Sequence, residues 1–259
     1  MSQNVSDSRC IAYAIAFLLL LLGAAILALY PDWFNRPVTA AINSASRDRP
    51  FANVLAFGIT YPTLQGVIIV SLVWCCWFSG INSEMRARVV SGTIAAVFAG
   101  LVARFLKLTL PTSPKPIFDS VLGLHLPAVL GDIDTLRATS FPNSHTFPSE
   151  RATMFAGLAI AIVLIRFELG LLALGCTIIV ESSRIYLGLH YPGDIIGSFS
   201  LAAATVWFAQ MRWASELGLR FVGWESSSSS TFYMGAFFAC YQIATAFQDL
   251  RDLAAYLLR

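Results

Sequence analysis

The stretch IAYAIAFLLLLLGAAILALY, residues 11–30, is twenty consecutive uncharged residues. As a helix it is long enough to cross ~30 Å of hydrocarbon. Arg9 precedes the run and Ala24-Ala25 lie late in it, which are ingredients of a cleavable signal peptide. The run is longer than a signal core, however, and closes on Leu29-Tyr30-Pro31-Asp32, so it reads as an uncleaved span. Working outward, comparable apolar segments cover 61–78, 89–108, 152–165, 169–189 and 195–213. A shorter segment, 231–247, contains Gln242 and is a candidate seventh span. The run Ser226-Ser227-Ser228-Ser229-Ser230 ahead of it reads as a flexible linker.

Composition agrees with that reading. Of 259 residues, 57% are hydrophobic and only 12% charged, about half the charge of an ordinary soluble domain. A net charge of +2 offers no basic face for nucleic acid, and the aromatic and aliphatic content excludes general disorder. Five cysteines (Cys10, Cys75, Cys76, Cys176, Cys240) lie in or beside the spans without metal-ligand spacing, as small buried hydrophobes do. The expected fold is all-α: one polytopic membrane domain over 1–259, a bundle of six or seven transmembrane helices.

Two segments between the spans carry the polar residues. Residues 31–59 mix apolar residues with Asp32, Arg36, Arg47, Asp48 and Arg49, a pattern suited to an interfacial helix. Residues 109–151 form a long loop rich in Pro, Ser, Thr and Asp, and such loops are usually functional. With the N-terminus placed inside, span parity brings Arg104, Lys107, Arg151, Arg184 and Asp194 to one membrane face. That clustering holds in either orientation. Arg86, Arg88, Arg166, Arg212 and Arg220 fall inside and Arg36, Arg47 and Arg49 outside, a weak positive-inside bias.

The sharpest signal is Ser183-Arg184-Ile-Tyr-Leu-Gly-Leu-His190-Tyr-Pro-Gly-Asp194. It places a permanent cation and an imidazole on one short turn, with Pro192 suited to opening the next helix. Asp194, four residues after His190, can accept an imidazole N–H, fixing the tautomer and leaving the other nitrogen as nucleophile. The planar fork of Arg184 matches phosphoryl oxygens. Glu181, an intramembrane charge three residues before Arg184, is expected to pair with it.

This segment resembles the third motif of the type 2 phosphatidic acid phosphatase (PAP2) superfamily: Ser-Arg, five residues, His, three residues, Asp. The resemblance extends over about 89–213 and to the multi-span layout of the family's membrane branch. It implies His190 as a nucleophile that becomes phosphohistidine, Asp194 as its orienting partner, Ser183 and Arg184 on phosphate, and no metal or cofactor. The first family motif, Lys, six residues, Arg-Pro, is looser here. Seven residues separate Lys107 from Lys115-Pro116, so Lys115 stands where Arg is expected. Arg104 or Lys107, three apart on one helical face, is then the second cation.

The second family motif, Pro-Ser, any residue, His, supplies amides and Ser to phosphate and a His that protonates the leaving group. Two half-matches stand in tandem. Phe141-Pro142-Asn143-Ser144-His145 has the His but puts Asn where Ser belongs. Phe147-Pro148-Ser149-Glu150-Arg151 has the Ser but puts Arg where the acid belongs. Arginine cannot serve as an acid near neutrality. Either His145 is the acid, with Ser149 and Arg151 on phosphate, or the proton donor is lost; His125 reads as incidental.

The resemblance therefore implies a membrane lipid phosphatase acting on a phosphomonoester or diphosphate, such as phosphatidate or a polyprenyl diphosphate. A phosphotransferase or a weakened lipid-binding relative is the alternative. The expected location is a bacterial inner membrane with the site on the extracytoplasmic face, and the expected partner a membrane lipid.

Overall fold

The computed structural model describes residues 2–45, 62–79, 82–110, 114–124 and 145–257. Arg47, Asp48, Arg49, Pro111, His125 and the Phe141–Ser144 half-motif lie outside these residues. The described chain is helical: α1 Ser2–Leu29, α2 Asn35–Ala45, α3 Pro62–Phe78, α4 Ser83–Thr109, α5 Glu150–Ile165, α6 Phe167–Tyr186, α7 Pro192–Phe208, α8 Arg212–Ser227, α9 Ser229–Ala244 and α10 Gln248–Leu257. A short 3-10 turn, Pro116–Phe118, interrupts the polar loop. Among the described residues, three helical stretches are long and apolar enough to cross a membrane: Ser8–Leu29, Ser83–Thr109 and Phe167–Tyr186; Gln65–Phe78 is a shorter apolar helix. Leu18, Leu19, Leu20 and Leu22 are exposed, which suits a helix bathed in lipid.

Helix ends are set by local chemistry. Ser149 caps α5 by accepting the Ala152 N–H at 3.4 Å, and Asn82 caps α4 through Met85 N–H. Pro192 opens α7, where its missing N–H costs nothing.

Helix α5 is the centre of the bundle, packed against α4, α6 and α7. Its approach to α4 is backbone to backbone: a Cβ on Gly157 would lie 2.9 Å from Ala96 Cα. Small residues supply that closeness where lipid removes the hydrophobic drive between helices. Helix α1 lies on α7, with Ala24 and Ala28 against Phe147.

The candidate seventh helix is docked on α3. Trp74 meets Phe237 at 4.9 Å between ring centroids and Trp77 stacks on Phe232 at 5.4 Å. Trp77 Nε1–H donates to Tyr233 Oη at 3.2 Å. The serine run differs from expectation. Ser226 and Ser227 close α8, Ser229 and Ser230 open α9, and only Ser228 is non-helical. The hydroxyls of Ser226, Ser227 and Ser229 donate to the carbonyls of Val222, Trp224 and Glu225, and so support two helix ends instead of a loose tether.

After α9 the chain turns sharply. Ala246 and Phe247 both hold positive φ, 51° and 57°, a conformation that costs a non-glycine residue roughly 1–2 kcal/mol. This turn lays α10 across the end of the bundle. Leu250, Leu253 and Leu257 on α10 are exposed at helical spacing, a pattern that suits a helix lying along a membrane interface.

Candidate active site

The site is assembled where the described helices end. The turn between α6 and α7 carries its chemistry. Leu187 N–H donates to Ser183 O at 3.0 Å and Leu189 N–H to Arg184 O at 2.9 Å, which closes α6. Gly188 then adopts φ +67°, a conformation that glycine holds without strain. Its carbonyl accepts the Ile117 N–H at 2.8 Å, so the 3-10 turn buttresses the bend. Two residues on, His190 is delivered into the interior with only 3% of its surface exposed.

Arg184 Nη2 lies 3.1 Å from His190 Nε2. A guanidinium can only donate, so Nε2 is the bare nitrogen and Nδ1 carries the proton. Nδ1 faces Asp194 Oδ2 at 3.5 Å, too far for a direct hydrogen bond, and the Thr146 backbone hydrogen-bonds His190. Burial, with Arg184, Lys107 and Lys115 around it, holds the imidazole well below its ordinary pKa and therefore neutral. Asp194 is wholly buried and is itself fixed, because Oδ2 accepts the Tyr191 N–H at 2.8 Å. Behind Arg184, Glu181 Oε2 lies 3.5 Å from its Nε, the pairing expected of two charges three residues apart.

A cavity of about 190 Å³ opens in front of His190, lined by Lys107, Ser149, Glu150, Arg151, Arg184, His190, Ala246 and Arg251. Two larger cavities, about 600 and 390 Å³, carry no charged side chain and lie between apolar helix faces. The polar cavity is the chemical one. Its lining comes from the C-terminal end of α4, the N-terminal end of α5, the α6–α7 turn and α10. This is the one-face clustering that span parity predicts. Ser149 N–H donates to Ser198 Oγ at 2.8 Å, and Ser198 Oγ donates to Asp194 O at 2.7 Å, which locks the N-terminus of α5 beside the turn.

Of the residues singled out in the sequence, Lys107, Ser149, Arg151, Arg184 and His190 share the cavity wall, with Asp194 behind His190. Lys115 stands close enough to Lys107 and Arg184 to feel both; burial and these two cations push its ammonium down to about 8. Arg104 turns outward, half exposed, and pairs with Glu150 Oε2 at 3.3 Å. The Ser183 hydroxyl donates back to Ile179 O at 2.8 Å and does not line the cavity. His145 sits outside the lining too; its backbone bridges to Pro114, next to Lys115.

Three residues that the sequence did not single out serve the site. Arg251 lines the cavity and pairs with Glu150 Oε1 at 3.1 Å; carrying span parity through 231–247 places it on the same face. Asn35, fully buried, accepts the Gly193 N–H at 2.8 Å and donates to Leu27 O at 2.8 Å. Asn43 donates to Tyr186 O at 3.0 Å. Helix α2 therefore grips both ends of the α6–α7 turn. Arg36 of α2 reinforces the grip by donating to Asp119 Oδ2 at 2.6 Å, the oxygen that also accepts Tyr191 Oη–H at 3.1 Å. Burial alone would raise the Asp119 carboxyl, but bonds from Arg36, the Val121 amide and Tyr191 hold it below its usual range.

A family model described as the PAP2 superfamily matches residues 88–217. Among curated relatives, decaprenylphosphoryl-5-phosphoribose phosphatase of Mycobacterium tuberculosis is 26% identical over 168 residues, 64% of this chain and 83% of that protein. Undecaprenyl-diphosphatase BcrC of Bacillus subtilis is 24% identical over 168 residues, 65% of this chain and 78% of its own. Among solved structures, the transmembrane PAP2 type phosphatidylglycerolphosphate phosphatase of Bacillus subtilis is similar at a TM-score of 0.47 and 19% identity, covering 80% of this chain and 96% of that one.

Proposed function

Because the chain belongs to the PAP2 superfamily and is thereby a membrane phosphatase, we propose that it cleaves phosphate from a lipid phosphomonoester or diphosphate with His190 as the nucleophile. The observation that carries this is the bare Nε2 of a buried, neutral imidazole, 3.1 Å from Arg184, facing a cavity with four cationic side chains. A phosphate entering the cavity takes over the Arg184 hydrogen bond and frees the Nε2 lone pair for attack on phosphorus. Lys107, Arg184 and the helix N-terminus at Ser149 then hold its oxygens. Asp194 keeps the proton on Nδ1 and stabilises the charge that the ring gains. A site at the helix ends, beside lipid-facing surfaces, suits an amphiphile better than a soluble ester. Span parity and the arginine bias favour the extracytoplasmic face of a bacterial inner membrane.

Phosphate release by the detergent-purified protein from a panel of lipid phosphates tests the reading. His190→Ala should abolish release while the protein remains monodisperse; undiminished release would overturn the assignment. A second reading draws on Arg151 standing where the family acid stands. It makes the chain a phosphotransferase or a weakened lipid-binding relative, which binds the same lipids and releases no phosphate from any of them. His145, on the loop carrying Lys115, is the acid in the version that keeps one.

A further inference from the structure

Arg251 comes from outside the segment matched to the family, from a helix that a strained turn lays over the site. Its guanidinium is held from three sides. Nη1 meets Glu150 Oε1 at 3.1 Å, while Nη2 donates to Ala246 O at 2.6 Å and to Gln248 Oε1 at 3.2 Å. It lies within electrostatic reach of Arg151, and the two share the cavity wall. Like charges crowded into a half-buried space repel one another unless an anion joins them. Two carboxylates stand against the four cations of the wall: Glu150, divided between Arg104 and Arg251, and Glu181 behind it, divided between Arg184 and Arg151. Lys107 and Arg184, near the nucleophile, match the phosphorus under attack, which leaves Arg151 and Arg251 for a second anionic group.

The identity of that group follows from proton bookkeeping. Expelling an alkoxide, whose conjugate acid is about as weak as water, demands a general acid, typically worth about 10²–10⁴-fold. His190 is the one imidazole in the lining and is consumed as the nucleophile, His145 stands outside the lining, and Arg151 cannot give up its proton. A phosphate leaving group, with a second pKa of about 6, needs no proton. It needs positive charge placed where its own charge grows.

We infer that Arg151 and Arg251 form a leaving-group subsite that selects a lipid diphosphate over the corresponding monophosphate. This deepens the proposed phosphatase reading and rests on it. His190 Nε2 attacks the terminal phosphorus, an N–P bond forms, and the bridging P–O bond breaks. Its electron pair leaves on the lipid monophosphate, held by Arg151 and Arg251. Water then attacks the phosphohistidine phosphorus, the P–N electrons return to Nε2, and the water's proton departs with the released phosphate. Helix α10 is thus a specificity element added to the family core.

The test uses the full-length protein in detergent, with farnesyl diphosphate and farnesyl monophosphate as probes. The native protein should prefer the diphosphate by about 100-fold or more in kcat/KM, the scale of a missing acid. Arg251→Ala should cut diphosphate turnover by about 10-fold or more and shrink that preference, with Arg251→Lys recovering part of it. Arg151→His should raise monophosphate turnover. Equal turnover of both probes by the native protein, or equal losses on both in Arg251→Ala, would overturn the subsite. Turnover of both probes at the native preference by Arg251→Ala would do the same. Thermal stabilisation by inorganic pyrophosphate against orthophosphate reads the subsite without turnover. A pyrophosphate preference that Arg251→Ala erases supports it even if no probe is hydrolysed, in which case the phosphatase reading alone fails.

Discussion

The Arg184 guanidinium donates to His190 Nε2 at 3.1 Å, so the imidazole proposed as nucleophile rests under the cation proposed to hold its substrate. Burial first, and then Arg184, Lys107 and Lys115, depress the imidazole pKa. The free enzyme therefore keeps a neutral nucleophile at pH values where an ordinary histidine, pKa ~6.5, is protonated. The acid limb of kcat/KM should lie below pH ~6.5 in a phosphate-release assay. Stability moves the same way: the unfolded chain binds the proton first, so the His190 contribution is full above pH ~6.5 and is lost as pH falls toward the folded value. Asp194→Asn should lower kcat by roughly 10²–10⁴-fold through the wrong tautomer. An acid limb at or above pH 7 would contradict the neutral, buried imidazole.

Lys115 sets the alkaline side. Burial, with Lys107 and Arg184 adjacent, brings its ammonium to about 8, so the uncharged form prevails above that pH and one cation proposed to attract phosphate disappears. KM for a phosphorylated lipid should rise above pH 8, and Lys115→Arg should move that rise to higher pH. Folding stability has the opposite sign. Between about 8 and the ordinary lysine value of ~10.4 the unfolded state binds more protons, so this group's contribution rises with pH. Binding that weakens while the melting temperature holds identifies Lys115; parallel loss of both would point to unfolding.

The catalytic turn should tolerate little change. Alanine at Gly188 must hold φ +67° and brings a Cβ to 2.3 Å from Leu124 Cδ1 and 3.1 Å from Ile117 N. A stability loss of about 1–3 kcal/mol is expected, with kcat reduced about 10–100-fold because His190 shifts against its substrate. Asn35→Ala leaves the Gly193 N–H and the Leu27 carbonyl without their partner and should cost about 2 kcal/mol or more. In both variants kcat should fall more than KM changes, since the phosphate-binding cations are untouched. A selective rise in KM would contradict this positioning role.

What the sequence discloses follows the range of the interactions. Spans are legible because twenty uncharged residues have few other uses, and the turn from Ser183 to Asp194 because its spacing is local and fixed by one helix end. The grip of α2 was not legible: Asn35 meets Gly193 across 158 residues of chain and Asn43 meets Tyr186 across 143. Amide side chains carry no periodic signal to announce such partners. Arg251 was within reach of span parity, but the short, Gln242-bearing segment before it hid which face it occupies. Spacing also cannot report rotamers. Ser183 satisfies its own helix instead of the cavity, and Arg104 turns to Glu150 while Lys107, one turn on, faces His190. The serine run misled because composition suggests a tether, whereas the hydroxyls of Ser226, Ser227 and Ser229 find helix carbonyls.

Turnover should persist in excess EDTA. All positive charge needed by a phosphate is supplied by side chains, with Lys107, Arg151, Arg184 and Arg251 in the cavity wall. The proposed nucleophile is a nitrogen lone pair, which needs no activated water for the first step. A divalent ion would require a cluster of ligands, and among the described residues no three His, Cys, Asp or Glu side chains stand together. Glu150, the one carboxylate in the wall, already shares its two oxygens between Arg104 and Arg251. A cation placed beside it would have to displace both arginines and would repel the rest of the lining. Phosphate release at unchanged rate in chelator is therefore expected, with Mg²⁺ addition neutral or mildly inhibitory through competition for the substrate's oxygens. Activity lost in EDTA and restored by Mg²⁺ or Zn²⁺ would show that a metal supplies the charge, and Lys107, Arg151, Arg184 and Arg251 would then need other roles.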